Sequence, residues 1–364
     1  MDMMYVEDCC EILDSMRVPI TASDREEGEY PYYGANGIQD HVADYIFDDE
    51  LVLLAEDGGN FGSKERPIAY RVSGKCWVNN HAHVLKPKAG LDVDYLCYSL
   101  MFYKVDGMVN GATRQKLTQA AMRKMKIPSR SMNEQLHIVD ELNRILKIKE
   151  QRQQELTLLD DLIKARFVEL FGLPVSNTKG WKTEQMGEVA PAINYKGEFD
   201  DEVWLLNLDM VEAQTGRILD YLVVSEEEVG NSTCTFDTSN VLYSKLRPYL
   251  NKVVIPDRCG YATSELVPLQ PVKTKINREY LAFMLRSDEF VNMINEKVAG
   301  AKMPRVPMGD FRKFDVPVPP MELQEQFADF AHQVNKSKFD TMTFAPIYAI
   351  INLYLHAHFY QGRR

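Results

Sequence analysis

The stretch from Met132 to Phe171 reads MNEQLHIVDELNRILKIKEQRQQELTLLDDLIKARFVELF and contains neither proline nor glycine. Its apolar residues recur mainly at spacings of three, four and seven, which is the pattern of one apolar face on an α-helix. Ser131 can cap the first turn together with Glu134 three residues later, and Gly172 marks the end. The pattern predicts a single helix about 60 Å long.

A helix of this length cannot bury its apolar face on itself and therefore needs a partner helix, as in a coiled coil. A similar pattern begins at Met321 and continues through Phe327 to Val334. The natural partner is therefore a second segment of the same chain. The sequence predicts two domains held apart by a pair of antiparallel helices.

The rest of the chain repeats itself with an offset near 189 residues, which slips slightly upstream of the helices. A period of this size indicates two copies of a whole domain rather than a solenoid. The matches keep the same order along the chain: Asp94-Tyr95-Leu96 with Glu279-Tyr280-Leu281, Gly111-Ala112 with Gly300-Ala301, Ile127-Pro128 with Val316-Pro317, Gln135 with Gln324, and Asp140 with Asp329.

Each copy is predicted to be α+β, because short apolar runs separated by turn residues precede short helical segments. The helices are expected at 92–103 and 118–124 in the first copy. In the second copy they are expected at 277–296 and 307–312. In each copy a Gly-Ala loop lies between the helices, and an extended segment with proline leads into the long helix.

The charge is unevenly distributed along the 364 residues, whose net charge is −11. Residues 1–59 carry 2 basic and 16 acidic residues, whereas residues 60–130 carry 13 basic and 4 acidic ones. Residues 173–239 and 240–320 repeat this order with 4 basic and 13 acidic, then 13 basic and 8 acidic residues. Two basic faces would suit phosphate binding despite the negative total. The alternative is that both signs intermix on the folded surface and cancel.

Several protein classes are not expected from the composition. No apolar run reaches the roughly 18 residues of a membrane-spanning helix, and the N-terminus lacks the features of a secretory signal. The six cysteines include no CxxC pair. This argues against a zinc site and for the reducing cytoplasm.

Four stretches carry a resemblance to a known family. They are Gln151–Gly172 (QRQQELTLLDDLIKARFVELFG), Tyr32–Gly37 (YYGANG), Glu56–Gly62 (EDGGNFG) and Tyr243–Lys252 (YSKLRPYLNK). A proline seven residues before a glutamine also introduces each long helix. Together and in this order they resemble the specificity subunit of type I restriction–modification systems, over residues 1 to about 340.

The resemblance implies a non-catalytic, DNA-binding subunit whose two target-recognition domains each read one half of a bipartite double-stranded target. It also implies that the helices bind two methyltransferase subunits and sometimes restriction subunits. No cofactor is expected in this chain, whereas the methyltransferase would use S-adenosylmethionine. The domains expected are 1–131 and 173–320 for recognition, 132–172 for the central helix, 321–340 for the start of the second helix, and 341–364 for an atypical tail.

Arginine, asparagine and glutamine read base edges, and lysine, arginine and backbone N–H groups bind phosphates. For each such residue the alternative is a solvated side chain or a local ion pair. The DNA contacts predicted in the first domain are Tyr32, Tyr33, Asn36, Lys64, Arg66, Asn80, Arg114, Gln115 and Lys116, and in the second Asn194, Tyr195, Lys196, Lys245, Arg247, Tyr249, Lys252, Lys302 and Arg305.

Partner contacts are predicted on the apolar stripe of the long helix, at Leu156, Leu159, Ile163 and Phe167. The tail 341–364 departs from the family pattern, because its helical periodicity fades and it lacks acidic residues. A truncated or frame-altered C-terminus would explain this departure.

Two rival functions remain open at this point. A free-standing endonuclease would need a carboxylate–lysine metal cluster and a methyltransferase would need a cofactor-binding loop, and neither motif is visible in the sequence. His81 and His83 are spaced as neighbours on one face of a strand, but no cysteine or carboxylate cluster joins them in the sequence, so a polar or DNA-facing role is favoured over a metal site. An inactive scaffold built on the long helix is the second rival.

Overall fold

A computed structural model describes residues 2–63, 65–111, 114–298, 303–342, 354 and 356–360. The chain forms two compact units. Unit 1 comprises Met1–Gln153 with Met342–Arg364, and unit 2 comprises Gln154–Thr341. Both units mix strands and helices, which confirms the predicted α+β class.

The described residues of unit 1 form ten strands and the beginning of the long helix. Its helices are α1 (Val6–Cys9), α2 (Val93–Met101), α3 (Gln119–Arg123) and the first half of α4 (Met132–Phe171). Its strands are β1 (Met3–Tyr5), β2 (Cys10–Ile12), β3 (Glu27–Gly34), β4 (Gly37–Val42), β5 (Phe47–Ala55), β6 (Ala69–Val78), β7 (Ala82–Pro87), β8 (Val109–Asn110), β9 (Lys116–Leu117) and β10 (Lys126–Pro128).

A six-stranded sheet in the order β2-β7-β5-β6-β3-β4 forms the centre of unit 1. Its neighbours are antiparallel except for β3 and β6, which are parallel. The continuous apolar run Leu51–Ala55 of β5 is buried on both faces, as expected of a central strand. Helix α2 packs against this core through Tyr95 and Leu96.

Unit 2 carries the second half of α4 and repeats the same helices around smaller sheets, in the orders β13-β12-β17-β14 and β16-β15-β18. Its other helices are α5 (Met186–Val189), α6 (Arg278–Arg286), α7 (Asp288–Glu296), α8 (Met308–Arg312) and α9 (Met321–Met342). Its strands are β11 (Thr183–Gln185), β12 (Glu202–Leu206), β13 (Leu222–Ser225), β14 (Thr233–Phe236), β15 (Val241–Ser244), β16 (Val253–Val254), β17 (Gly260–Thr263), β18 (Leu266–Leu269) and β19 (Asp315–Pro317).

The internal repeat is confirmed at the level of hydrogen bonds. Gln135 is fully buried at the start of α4, accepts from the Asp92 N–H at 2.8 Å and donates to two backbone carbonyls. Gln324 at the start of α9 is equally buried and accepts from the Asn277 N–H at 2.9 Å, again donating to two carbonyls. Each glutamine therefore ties the start of a long helix to the N-cap residue of a short helix, which is α2 in unit 1 and α6 in unit 2.

The long helices match the sequence-based expectation. The whole of Met132–Phe171 is helical, and Ser131 and Glu134 form the expected capping box. Within unit 2 the Phe167 ring contacts Phe327 of α9 at a centroid distance of 5.3 Å, and Asp160 accepts from Lys338 at 2.5 Å. From the first of these contacts to the second, the residue number falls along α4 and rises along α9. The two segments are therefore antiparallel.

One predicted element is wrong. The helix expected over 277–296 is two helices, α6 and α7, which meet at Ser287. Ser287 has an extended backbone, and its hydroxyl caps α7 by accepting from the Phe290 N–H. A serine side chain competes for backbone partners in this way, so it favours a helix boundary over a helix interior. In the described part of the chain, no helix is long and apolar enough to cross a membrane.

Candidate nucleic-acid interface

In unit 1 the turn between β3 and β4 forms one wall of an open cavity of about 520 Å³. Tyr33, Asn36, Asn60 and Arg66 line it together with the ring of Tyr70. The cavity thus combines two tyrosines with amide and guanidinium side chains, which are residue types that stack on bases or bind their edges.

Tyr32 is a correction to the predicted contacts. Its side chain is 1% exposed, since alternation along β3 turns it to the face opposite Tyr33. Its hydroxyl accepts from the Ile20 N–H at 3.1 Å, and the Arg25 guanidinium lies 4.3 Å from its ring centroid. Tyr32 is therefore a core residue with no surface to offer to DNA.

The basic segment 114–117 lies next to this cavity. Asn36 donates to the Gly58 carbonyl at 3.0 Å, and the Arg114 side chain packs against Gly58, whose φ of +69° suits a residue without a Cβ. Arg114 Nε lies 2.7 Å from Asp57 Oδ1. The contacts of Gly58 therefore join the cavity and the basic segment into one surface.

Backbone pairing fixes the basic segment against the end of β5. The Leu117 N–H donates to the Glu56 carbonyl at 2.7 Å, and the Gly58 N–H donates to the Gln115 carbonyl at 3.1 Å. The Lys116 ammonium lies 3.1 Å from a Glu56 carboxylate oxygen. Gln115 is exposed between the two cations, and Asn80 is exposed in the turn that joins β6 to β7.

A buried polar network supports this segment from below. His83 is fully buried, and its Nδ1 lies 2.7 Å from Asp14 Oδ2 while its Nε2 lies 2.9 Å from the Leu117 carbonyl oxygen. A carbonyl only accepts, so Nε2 carries a proton, and the other ring nitrogen makes a charge-assisted hydrogen bond with the carboxylate. The side chain of Gln119 also donates to Asp14, at 2.8 Å.

The histidine expectation needs correcting in one respect. His83 lies within β7, whereas His81 lies in the preceding turn, 3.5 Å from Asp57. His83 does join carboxylates, since ligand atoms of Asp14, Glu56 and His83 lie within 4.8 Å of one another. Arg17 pairs with Glu56 at 2.6 Å, so the carboxylates already have cationic partners and the group is an ion-pair network.

Both carboxylates of the network favour their ionised form. Burial opposes ionisation of Asp14, but the hydrogen bond from His83 and those from Gln119 and Val84 outweigh it and lower its pKa. Burial likewise opposes ionisation of Glu56, and hydrogen bonds from Arg17 and Lys116 lower its pKa overall. The network is therefore charged and internally compensated near neutral pH.

Unit 2 places a similar basic group at the end of β15. The Val306 N–H donates to the Lys245 carbonyl at 2.8 Å, and the Arg247 N–H donates to the Pro304 carbonyl at 2.8 Å. Arg305 Nη2 lies 2.8 Å from Glu265 Oε1. Lys245, Arg247 and Arg305 are thus brought together, as the basic residues are in unit 1.

The other predicted contacts of unit 2 are spread more widely. Tyr249 is 48% exposed on the short 3-10 turn that follows Arg247. Lys252 is directed inward, because its ammonium donates to the Leu208 carbonyl at 2.6 Å and burial lowers its pKa. This removes Lys252 from the phosphate contacts. A separate group lies beside β14: Asn194, Tyr195 and Lys196.

Two predicted contacts, Lys64 and Lys302, lie outside the described residues. Arg66 is exposed at the cavity in unit 1. Three carboxylates of the site, Asp57, Glu56 and Glu265, are not among the predicted contacts, although Glu56 and Asp57 stand in one of the stretches that carry the family resemblance. A carboxylate partner for a basic loop leaves no local pattern in the sequence, because it comes from a distant strand.

The predicted partner contacts on α4 also need correction. Ile163 and Phe167 are 2% and 3% exposed in the core of unit 2, and Leu159 packs partly buried against it. Leu156 is half-buried. The predicted stripe therefore serves the fold. The exposed apolar residues of this half of the helix lie on another face, at Leu158, Leu162 and Val168.

Two related α+β units, each with an ion-paired basic segment at the end of a strand, define a two-unit chain that carries a basic segment of this kind twice. The chain belongs to the family of type I restriction modification DNA specificity domains. That family matches residues 1–158 and again residues 179–346, so both copies of the repeat are included.

Individual relatives agree with this assignment. A type I restriction enzyme specificity subunit of Haemophilus influenzae, S.HindORF215P, is 37% identical over 134 residues, which cover 37% of this chain and only 34% of that relative. The EcoDI specificity subunit of Escherichia coli is 21% identical, with 88% of this chain and 78% of that one covered. The crystal structure of a type I restriction–modification S subunit from M. genitalium shares the fold, with a TM-score of 0.59, 14% identity and coverage of 98% and 96% of the two chains.

Proposed function

We propose that this chain is the DNA sequence-recognition subunit of a type I restriction–modification complex, and that its two units each read one half of a bipartite target. The observation that carries this proposal is the duplication itself. Both units hold an ion-paired arginine on a segment fixed to a strand end, and the family match covers both copies. Two such surfaces on one chain suit two separated half-sites.

In this proposal the catalytic work belongs to partner subunits in the cytoplasm. Two methyltransferase subunits, which use S-adenosylmethionine, bind the helices of this chain, and restriction subunits join in some assemblies. The chain contributes no cofactor site and no catalysis of its own. The resemblance to the specificity subunits of type I restriction–modification systems implies this division of labour.

The decisive experiment maps methylated positions in DNA from cells that carry this chain and its methyltransferase. The expected result is one two-part sequence with a fixed spacer, and its methylation is lost when the gene for this chain is deleted. Methylation that persists without this chain would contradict the proposal. Assays of the purified chain for cleavage and for methyl transfer test the rival that it is itself an enzyme.

The docking of methyltransferase is proposed on the exposed face of α4, where Leu158 is 67% and Leu162 is 48% exposed. These side chains lie one helical turn apart and so form a continuous apolar patch. Leu158→Asp combined with Leu162→Asp should abolish copurification of the methyltransferase while the chain still binds DNA. The matched control is Ile193→Asp, which changes an exposed apolar residue away from the helix. Equal copurification from both variants would place the docking surface elsewhere.

A further inference from the structure

Both units hold an arginine of the basic segment through a carboxylate on a neighbouring strand end. In unit 1 Arg114 Nε lies 2.7 Å from Asp57 Oδ1. In unit 2 Arg305 donates to Glu265 from both Nε, at 3.1 Å, and Nη2, at 2.8 Å. The two arginines are not equivalent positions of the repeat, because the Leu117–Glu56 and Val306–Lys245 backbone bonds make Lys116 the counterpart of Arg305. What the units share is an arginine that follows the Gly-Ala loop and is held by a carboxylate.

In each pair the carboxylate is the more fixed partner. The side chains of Asp57 and Glu265 are each 21% exposed, whereas those of Arg114 and Arg305 are 59% and 51% exposed. Backbone bonds hold the carboxylate residues in place: the Asp57 N–H donates to His81, and the Glu265 carbonyl accepts from the Lys245 N–H at 3.0 Å. Each carboxylate therefore holds one edge of a guanidinium whose side chain is more than half exposed. In unit 1 the Nη2 of Arg114 also lies 3.4 Å from Nδ1 of His81.

The carboxylate–guanidinium pair has a chemical consequence for DNA recognition. A guanidinium has five N–H donors in a planar fork, and its outer two nitrogens can bind O6 and N7 of guanine in parallel. A carboxylate on one edge fixes the plane of this fork and compensates its charge. A guanidinium with a fixed plane favours a directional contact with a base edge. The lower net charge of the pair weakens its attraction to DNA phosphates, which is independent of sequence.

We propose that Asp57 and Glu265 are positioning residues for base reading, which orient Arg114 and Arg305 toward guanine edges, one in each half of the target. This inference rests on the proposed function. The alternative is that both pairs are ordinary surface ion pairs, which contribute little to stability and nothing to specificity.

The test uses the complex of this chain with its methyltransferase and the duplex defined by the methylation map. Equilibrium binding is measured for that duplex, for each of its single-base-pair variants and for a scrambled duplex, at several salt concentrations. Asp57→Asn should reduce discrimination at one guanine of one half-site about tenfold, the scale set by a bidentate base contact. It should also strengthen binding to the scrambled duplex and steepen the salt dependence by about one ion. Glu265→Gln should do the same in the other half-site.

Matched controls separate positioning from general effects. Glu50→Gln removes a partner of Arg71 in unit 1, and Glu212→Gln removes the partner of Arg217 in unit 2. Neither should change discrimination at any position. In the Arg114→Ala background, Asp57→Asn should have no further effect, since the residue it positions is absent.

The outcomes distinguish this inference from the proposed function. If the unaltered complex shows no sequence preference, the proposed function fails and the positioning role fails with it. A second outcome is that the unaltered complex discriminates between the duplexes while the Asp57→Asn and Glu265→Gln complexes bind every duplex with the affinity of the unaltered complex. In that case the positioning role alone is overturned. A uniform loss of affinity for all duplexes, with discrimination unchanged, would also overturn it.

Discussion

The buried glutamines at the starts of the long helices show how single residues define the repeat. Gln135 and Gln324 are both fully buried, and each accepts a hydrogen bond from the backbone N–H of a helix N-cap residue. Each also donates to two backbone carbonyls at corresponding positions of its copy. A buried amide that satisfies three backbone groups is costly to replace, because each group left unpaired costs about 1–3 kcal/mol. The two residues therefore play a structural role that is repeated in each copy.

Gln135→Ala should destabilise unit 1 by about 2–4 kcal/mol, since the Asp92 N–H and two carbonyls lose their partner. Gln324→Ala should destabilise unit 2 by a similar amount. Urea unfolding followed by hydrogen exchange measures each unit separately. Gln151→Ala, on an exposed part of α4, is the control and should leave stability within about 0.5 kcal/mol. An equal effect of all three changes would contradict the role assigned to the buried amides.

The charges of unit 1 pair with one another more than the sequence suggested. The basic stretch 60–130, which follows the acidic stretch 1–59, was expected to form a basic face. Instead, side chains of the two stretches meet in ion pairs: Arg71 with Glu50, Lys86 with Asp49, Arg114 with Asp57, Lys116 with Glu56 and Arg123 with Glu7. The alternative that both signs intermix is therefore supported for this unit, and its DNA surface is better described as a set of compensated cations.

The network around His83 makes unit 1 sensitive to acid. The pKa of Asp14 is lower in the folded state than in the unfolded chain. Its stabilising contribution is thus complete above the unfolded value of about 3.9 and is lost as the pH falls below it. Unit 1 should therefore lose stability as the pH falls below about 4, and Asp14→Asn should flatten this dependence while lowering stability at pH 7.

Chemical denaturation of the two proteins at a series of pH values measures the effect, with Glu11→Gln as an exposed control. An unchanged pH profile in the Asp14 variant would show that the carboxylate does not act through its ionised form.

At the level of elements, the antiparallel contact between α4 and α9 depends on a cluster of aromatic rings in unit 2. Phe327 is fully buried and contacts Phe167, Phe171 and Phe283 at centroid distances of 5.3, 5.6 and 5.1 Å. Phe327→Ala should destabilise unit 2 by about 3–5 kcal/mol, because it leaves a cavity among these rings. Thermal unfolding measures this. Val168→Ala, on an exposed face of α4, should change stability by less than about 0.5 kcal/mol.

The tail predicted to be atypical contributes to the core of unit 1. Phe359 is 1% exposed, and its ring centroid lies 5.1 Å from that of Tyr95. In unit 2, Phe171 at the end of α4 lies 4.8 Å from Tyr280, the counterpart of Tyr95. The tail thus supplies to unit 1 an aromatic contact like the one that α4 supplies to unit 2.

Phe359→Ala should therefore destabilise unit 1 by about 3–5 kcal/mol, the usual cost of removing a buried phenylalanine ring. Limited proteolysis and thermal unfolding measure the effect. Ala357→Ser is the control in the same segment, because its side chain is exposed. If both variants unfold at the same temperature as the unaltered protein, Phe359 does not belong to the core.

At the scale of the whole molecule, each unit has its own hydrophobic core and its own ion-paired arginine. Exchange of residues 1–131 for the first domain of another family member should therefore alter one half of the methylated sequence only. The donor domain must keep a tyrosine that corresponds to Tyr95, so that the contact with Phe359 is preserved. Methylation mapping reports both halves and the spacer, and a change in both halves would refute independent reading.

Local pattern was sufficient to predict the long helix, several of the short helices and the repeat. The helix over Met132–Phe171, its capping box and the short helices near 93–101, 119–123 and 308–312 were all predictable, because helical periodicity and capping depend on residues a few positions apart. The matched Gln135 and Gln324 were visible in the sequence as a repeat, although their hydrogen bonds were not.

Only the tertiary structure decided which charges meet. Asp14 and His83 are 69 positions apart, and Asp14 and Gln119 are 105 apart. Such contacts follow from strand order, register and the direction of each side chain, and a shift of one residue reverses the face on which a side chain lies. For the same reason Tyr32 became a core residue while Tyr33 lines the surface cavity, although the sequence presents them as equals.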